Sequence, residues 1–107
     1  MKNSKAEKML NINKEENGTN LTVSLEGRLD TTTAPQFEGE LTSSLDGKTE
    51  VILDLAKLEY ISSAGLRILL SAQKTMNKQG CMVLKNVSDE VKEIFEVTGF
   101  SDILTIE

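Results

Sequence analysis

The apolar residues of this chain recur at two alternating periods, and that alternation narrows the fold more than any other feature of the sequence. Leu21-Thr22-Val23-Ser24-Leu25-Glu26 places an apolar side chain at every second position, the period of a half-buried strand. Phe37, Leu41 and Leu45 then recur at every fourth position, the period of one helix face. Val51, Leu53 and Leu55 return to the strand period. Leu66, Leu69, Leu70 and Met76 mark a second helix, and Cys81 to Leu84 a further strand. Val91, Ile94 and Phe95 mark a third helix, and Ile103 to Ile106 a last short strand. Leu10-Asn11-Ile12-Asn13 also alternates, and Asn17-Gly18 between it and Leu21 is a tight-turn pair, since both residues tolerate positive φ. The pattern therefore opens with an antiparallel hairpin, each strand burying one face.

The resulting order is β-β-α-β-α-β-α-β. Helices between strands imply parallel pairing through right-handed crossovers. Thr22, Ser24, Glu26 and Asp54 fall opposite the apolar face of their strands. A doubly wound sheet needs strands that are apolar on both faces. The expected fold is thus a single α/β domain with helices mainly on one face. Its mixed, mostly parallel sheet has about five strands in the order 1-2-3-4-5, with strand 1 antiparallel at the edge. Local signals set the helix ends. Thr33 and Gln36 fit a capping box, with Pro35 in the first turn. The second helix starts near Ser62 or Ser63 and runs to about Lys78, closed by Gly80. Ser88 caps the third, with Asp89 and Glu90 at its positive end and Gly99 as its stop.

At 107 residues the chain suits one domain with a real core. Residues 1–8 are polar, carry three lysines and precede no apolar run, so they read as a flexible tail rather than a signal peptide, leaving 9–107 as the domain. No stretch approaches the length of a membrane span. The formal net charge of −5 disfavours nucleic acid and direct insertion into an anionic membrane. The lone Cys81 cannot form an internal disulfide, which fits a reducing, cytoplasmic compartment. Its place in the apolar run Cys81-Met82-Val83-Leu84 reads as a small core residue.

The catalytic inventory is thin. There is no His, the commonest general base and metal ligand, and no second Cys for a zinc site. No Gly-rich phosphate loop with a Lys occurs, and the acidic residues follow no paired pattern. No catalytic residue, cofactor or metal is assigned, and the chain reads as a protein that is not an enzyme.

What remains is Tyr60-Ile61-Ser62-Ser63-Ala64-Gly65-Leu66-Arg67, which follows a strand and opens a helix. A serine there is ordinarily an N-cap. Two serines followed by two small residues are more than a cap requires. Small side chains let another molecule approach, and an anion at this end meets free N–H groups and the positive end of the helix dipole.

The stretch from Asp54 through Ser62-Ser63-Ala64-Gly65 to Leu70 resembles the signature of STAS domains of the anti-sigma factor antagonist type. Leu25-Glu26-Gly27-Arg28-Leu29-Asp30-Thr31-Thr32-Thr33-Ala34 is similar to that family's second hallmark, and the resemblance covers roughly residues 9 to 106. In that family the phosphorylated serine is followed by one small residue and then Gly. Ser63 holds that place, with Ser62 as an alternative acceptor. The family often has Asp before the serine and Ser or Thr after it, where this chain has Ser62 and Ala64.

The resemblance implies a phosphorylation switch without chemistry of its own. Unmodified, the protein binds an anti-sigma factor that is also a serine kinase; phosphorylated, it lets go, and a serine phosphatase resets it. ATP and Mg²⁺ come with the kinase. Loops leaving the C-terminal ends of parallel strands share one rim. Asp30 and Thr31 are therefore expected to flank Ser63 and to form one partner surface with Ser62, Ala64, Gly65 and Arg67. On that reading Asp30→Ala weakens binding and barely changes stability. The alternative is a STAS accessory subunit of a membrane transporter, which binding to a transporter's cytoplasmic ATPase would reveal.

Overall fold

The protein is described by a computed structural model over residues 10–107. The tail expected at 1–8 lies outside the described residues. Strands β1 (Asn11–Asn17) and β2 (Asn20–Leu29) form the antiparallel hairpin, turning at Gly18 with φ of 66°. Helix α1 (Ala34–Leu45), strand β3 (Glu50–Ile61), helix α2 (Ser63–Gln79), strand β4 (Cys81–Lys85) and helix α3 (Asp89–Thr98) follow. The sheet order is β1-β2-β3-β4, with β2, β3 and β4 parallel.

Leu21, Val23, Leu25 and Leu29 of β2, the buried positions of β3, and Met82 and Leu84 of β4 are all at most 2% exposed. They meet Phe37 and Leu41 of α1, Leu69 and Met76 of α2, and Val91 and Phe95 of α3 in one core. Thr22, Ser24, Ile52, Asp54 and Val83 alternate with these residues and stay half-buried on the other face. The helices therefore share one face of the sheet, as the strand pattern predicts.

Strand β3 is far longer than its alternation indicates. Its buried positions are Val51, Leu53, Leu55, Leu58 and Ile61, so the spacing widens from two to three after Leu55. Register shifts between Ser24 and Glu26 and between Gly27 and Arg28 explain this. At each shift β3 carries one residue more than β2, and the bulge returns an apolar side chain to the core face. The strand consequently reaches the doorstep of Ser62.

Four expectations are corrected. Strand β1, at the sheet edge, buries little of a face: Ile12 alone of its residues is half-buried, against the core, and Lys14 two positions on reaches Ser44 and Glu40 of α1 rather than an apolar neighbour. Leu10, just before it, is the buried anchor. Among the described residues a fifth strand does not form, and the sheet has four. A 3-10 turn at Phe100–Asp102 and the Leu104 N–H bond to the Phe100 carbonyl curl the chain so that Leu104 is buried. Only a single parallel bridge, Leu84 to Ile106, remains. Cys81 is exposed, since it is the first residue of β4 and points away from Met82. The Thr33–Gln36 capping box is absent; Thr33 gives α1 no side-chain cap because its hydroxyl is bound elsewhere.

Gln73 of α2 is 4% exposed. Its amide nitrogen donates to Asn77 Oδ1 at 3.0 Å, while among the described residues no group donates to its buried Oε1. A buried acceptor without a partner costs about 1–3 kcal/mol. Gln73→Met keeps the volume and removes both polar atoms, and exposed Asn77 is left to water. The substitution is expected to raise the melting temperature by about 4–8 °C for each kcal/mol regained. A lower melting temperature in a calorimetric scan would show that Gln73 is satisfied.

Candidate functional site

The two sequence hallmarks meet inside the sheet rather than through neighbouring loops. Arg28 pairs with Tyr60 and Leu29 with Ile61, and the Ser62 N–H donates to the Leu29 carbonyl at 2.8 Å. The parallel register of β2 and β3 thus delivers both strand ends to one rim.

Past Leu29 the chain is held by Asp30. Its Oδ1 accepts from the Thr32 and Thr33 N–H groups at 3.0 and 3.1 Å. Thr33, 2% exposed, donates its hydroxyl to the Arg28 carbonyl at 2.8 Å and accepts from the Asp30 N–H at 3.0 Å. These bonds close a tight Asx turn leading into α1. Thr31 at its apex is exposed. Asp30 is therefore a structural cap as well as a rim residue, and the expectation that Asp30→Ala barely alters stability is revised. Losing such a cap costs about 1 kcal/mol. Urea unfolding of Asp30→Ala should give a lower midpoint with an unchanged slope; an unchanged midpoint would mean that the turn holds without its carboxylate.

On the neighbouring strand, Ser62 is the N-cap of α2. Its backbone is extended (φ −95°, ψ 176°), and its Oγ accepts from the Gly65 N–H at 3.4 Å. Ser63 is the first helical residue and is exposed, and among the described residues its hydroxyl has no hydrogen-bond partner. Two adjacent serines thus have different work. The first closes the helix; the second carries a free hydroxyl at the helix's positive end.

Ala64 is half-buried and Arg67, one turn beyond Ser63, is exposed. Gly65 is buried. A Cβ on it would stand 2.7 Å from Leu29 Cγ and 2.9 Å from Ile61 Cγ1. Its small size serves the close approach of α2 to β2 and β3. Thr31, Ala64 and Arg67 line one groove between α1 and α2. Asp30, Ser62 and Ser63 border its end through their chain neighbours.

Arg28 belongs to this rim although its motif position alone did not single it out. Its guanidinium lies 4.5 Å from the centre of the Tyr60 ring, and its Nε stands 3.8 Å from Asp30 Oδ2. Cation–π contact holds the guanidinium over the aromatic face. The cue was an arginine and a tyrosine at the ends of two paired strands, visible only once the register is known. No candidate helix in the described residues is long and apolar enough to cross a membrane.

The STAS domain family model matches residues 11–107. BtrV of Bordetella bronchiseptica, assigned as an anti-sigma factor antagonist, is 42% identical over 84 residues, covering 77% of this chain and 72% of that protein. The anti-sigma-B factor antagonist of Bacillus subtilis is 26% identical over 98 residues, covering 91% of this chain and 90% of its own. Among solved structures, the Bacillus anti-sigma factor antagonist SpoIIAA shares the fold in both of its forms. The unphosphorylated form gives a TM-score of 0.78 at 19% identity, over 91% of this chain and 88% of that one. The phosphorylated form gives 0.71 at 18%, over 91% of each. With the family model spanning all but the first ten residues, this chain belongs to the STAS domain family.

Proposed function

We propose that this protein is a phosphorylation-switched anti-sigma factor antagonist. Unmodified, it binds an anti-sigma factor that is also a serine kinase. Phosphorylated on Ser63, it releases that partner, and a serine phosphatase restores binding. The observation that carries the reading is the division of labour at the start of α2: Ser62 caps the helix, and Ser63 is exposed with a free hydroxyl. A kinase must bring its γ-phosphate in line with the attacking oxygen, which needs an accessible hydroxyl. The relatives named as anti-sigma factor antagonists support the partner class. Thr31, Ser63 and Arg67, with Asp30 and Arg28 beside them, offer the partner surface. In this role the chain supplies the acceptor serine and the binding face, while catalysis, ATP and Mg²⁺ belong to the kinase. A cytoplasmic kinase as partner would place the protein in the cytoplasm.

The test begins with the anti-sigma factor kinases encoded in the source genome, each purified and measured for binding to this chain. The one that binds is then incubated with it and ATP, and phosphopeptides are mapped by mass spectrometry. Ser63 is expected as the main acceptor. Modification mainly on Ser62, or on any residue of Thr31 to Thr33, would sink the assignment, and absence of binding to every such kinase would sink the function.

A further inference from the structure

The groove that Thr31, Ala64 and Arg67 open continues along the seam between α1 and α2 with a volume of about 590 Å³. Pro35 of α1 and Ile68 and Leu70 of α2 make much of its lining apolar. Its charges are unevenly placed. Arg67 and Lys74 stand on the α2 side, both exposed, and Glu38 stands on the α1 side. Among the described residues none of the three takes part in an ion pair. In a chain of net charge −5, two unpaired cations along one wall of an apolar groove form a local field opposite in sign to the whole.

Resting on the antagonist reading above, we infer that this groove seats an amphipathic helix of the anti-sigma factor, apolar side down, with acidic residues facing Arg67 and Lys74. Both walls are helices, so no free strand edge is offered, and an extended segment would find no backbone groups to pair with. A helix needs only an apolar trough and flanking charges. From Ala64 to Lys74 the trough runs for about 15 Å, room for a helix of two to three turns. Ser63 stands at the mouth, one turn before Arg67. A phosphate there sets negative charge beside the acidic face of the seated helix and competes for Arg67. The groove therefore makes partner choice depend on charge, and couples that choice to the switch.

Charge reversal tests this with the anti-sigma factor kinase identified by the binding assay above. Arg67→Glu and Lys74→Glu are each expected to lower its affinity about tenfold or more and to flatten its salt dependence. Lys78→Glu, on the same helix but outside the groove, should leave affinity within about twofold. Ser71→Tyr, which fills the groove without changing charge, should also weaken binding. Circular dichroism on each variant keeps misfolding apart from lost binding. Full affinity in both charge reversals would overturn the groove as the docking site. If phosphorylation of Ser63 still ejected the partner in that case, the switch would stand without the groove. If the unmodified protein bound no anti-sigma factor, both readings would fall.

Discussion

Phosphorylation of Ser63 is expected to lower affinity for the anti-sigma factor about a hundredfold or more while leaving the fold intact. The local effect of the phosphate is favourable. Ser62, not Ser63, provides the cap to Gly65, so the modification breaks no helix-closing bond. A negative group in the first turn of a helix gains about 0.3–1 kcal/mol, and phosphoserine brings about −1.5 to −2 charges. SpoIIAA adopts this fold both with and without its phosphate. The cost therefore falls on the interface. A charge buried against a partner without a counter-ion costs several kcal/mol, and about 2.7 kcal/mol is already a hundredfold in affinity. The interface penalty exceeds the local gain, and the complex dissociates. Ser63→Ala should bind normally and resist switching off. Ser63→Glu should weaken binding only in part, having less charge and a different shape. Calorimetric titration of the unmodified, phosphoserine and Glu forms, with circular dichroism on each, measures both halves. Equal affinity of phosphorylated and unmodified protein would refute the switch, and loss of the folded spectrum would replace it with unfolding.

Gly80→Ala is expected to be the most damaging single-methyl change in the chain. A Cβ at Gly80 would lie 1.9 Å from the Thr49 carbonyl oxygen and 2.6 Å from its carbon. The obstacle is backbone, and it is pinned from both sides. The Thr49 N–H donates to the Thr19 carbonyl at 2.9 Å, and the Thr49 carbonyl accepts from the Cys81 N–H at 3.1 Å. Relief requires parting β4 from the start of β3 or moving the hairpin, so the loss should be about 3 kcal/mol or more, at the upper end for overpacking. Gly39 is the control. It lies within α1, and a Cβ there meets nothing within 4 Å. Gly39→Ala should instead stabilise by about 0.5–1 kcal/mol, since glycine carries the larger entropy loss in a helix. Urea denaturation of the two variants should move in opposite directions. A fully stable Gly80→Ala protein would mean that this chain crossing is looser than described.

The elements that local pattern announces are those whose burial depends on one face. Helices α2 and α3 carry periodic apolar stripes and cap signals at Ser62, Ser88 and Gly99, and the structure uses all three caps. The parallel sheet with helices on one face follows from polar residues alternating with core residues in β2 and β3. Strand β3 past Leu55 is not legible in the sequence because two bulges break the period, and the resulting spacing of three no longer carries the strand alternation. The last strand failed for the opposite reason. Ile103 to Ile106 has suitable residues, but burial of Leu104 is achieved by a turn.

At the candidate site, that two serines open a helix after a strand is legible locally, because cap chemistry is local: a short hydroxyl side chain reaches a backbone N–H three residues on. That the two hallmarks share a rim is legible too, since parallel strands end on the same side. What each residue does there depends on long-range packing. Gly65 is small because Leu29 and Ile61 stand under it, and Asp30 turns its carboxylate into the chain because the Thr32 and Thr33 N–H groups converge on it. Arg28 lies over Tyr60 because two register shifts bring those strand positions level. Each of these contacts joins residues whose distance depends on strand register and helix docking, and neither quantity is written in the spacing of any one segment.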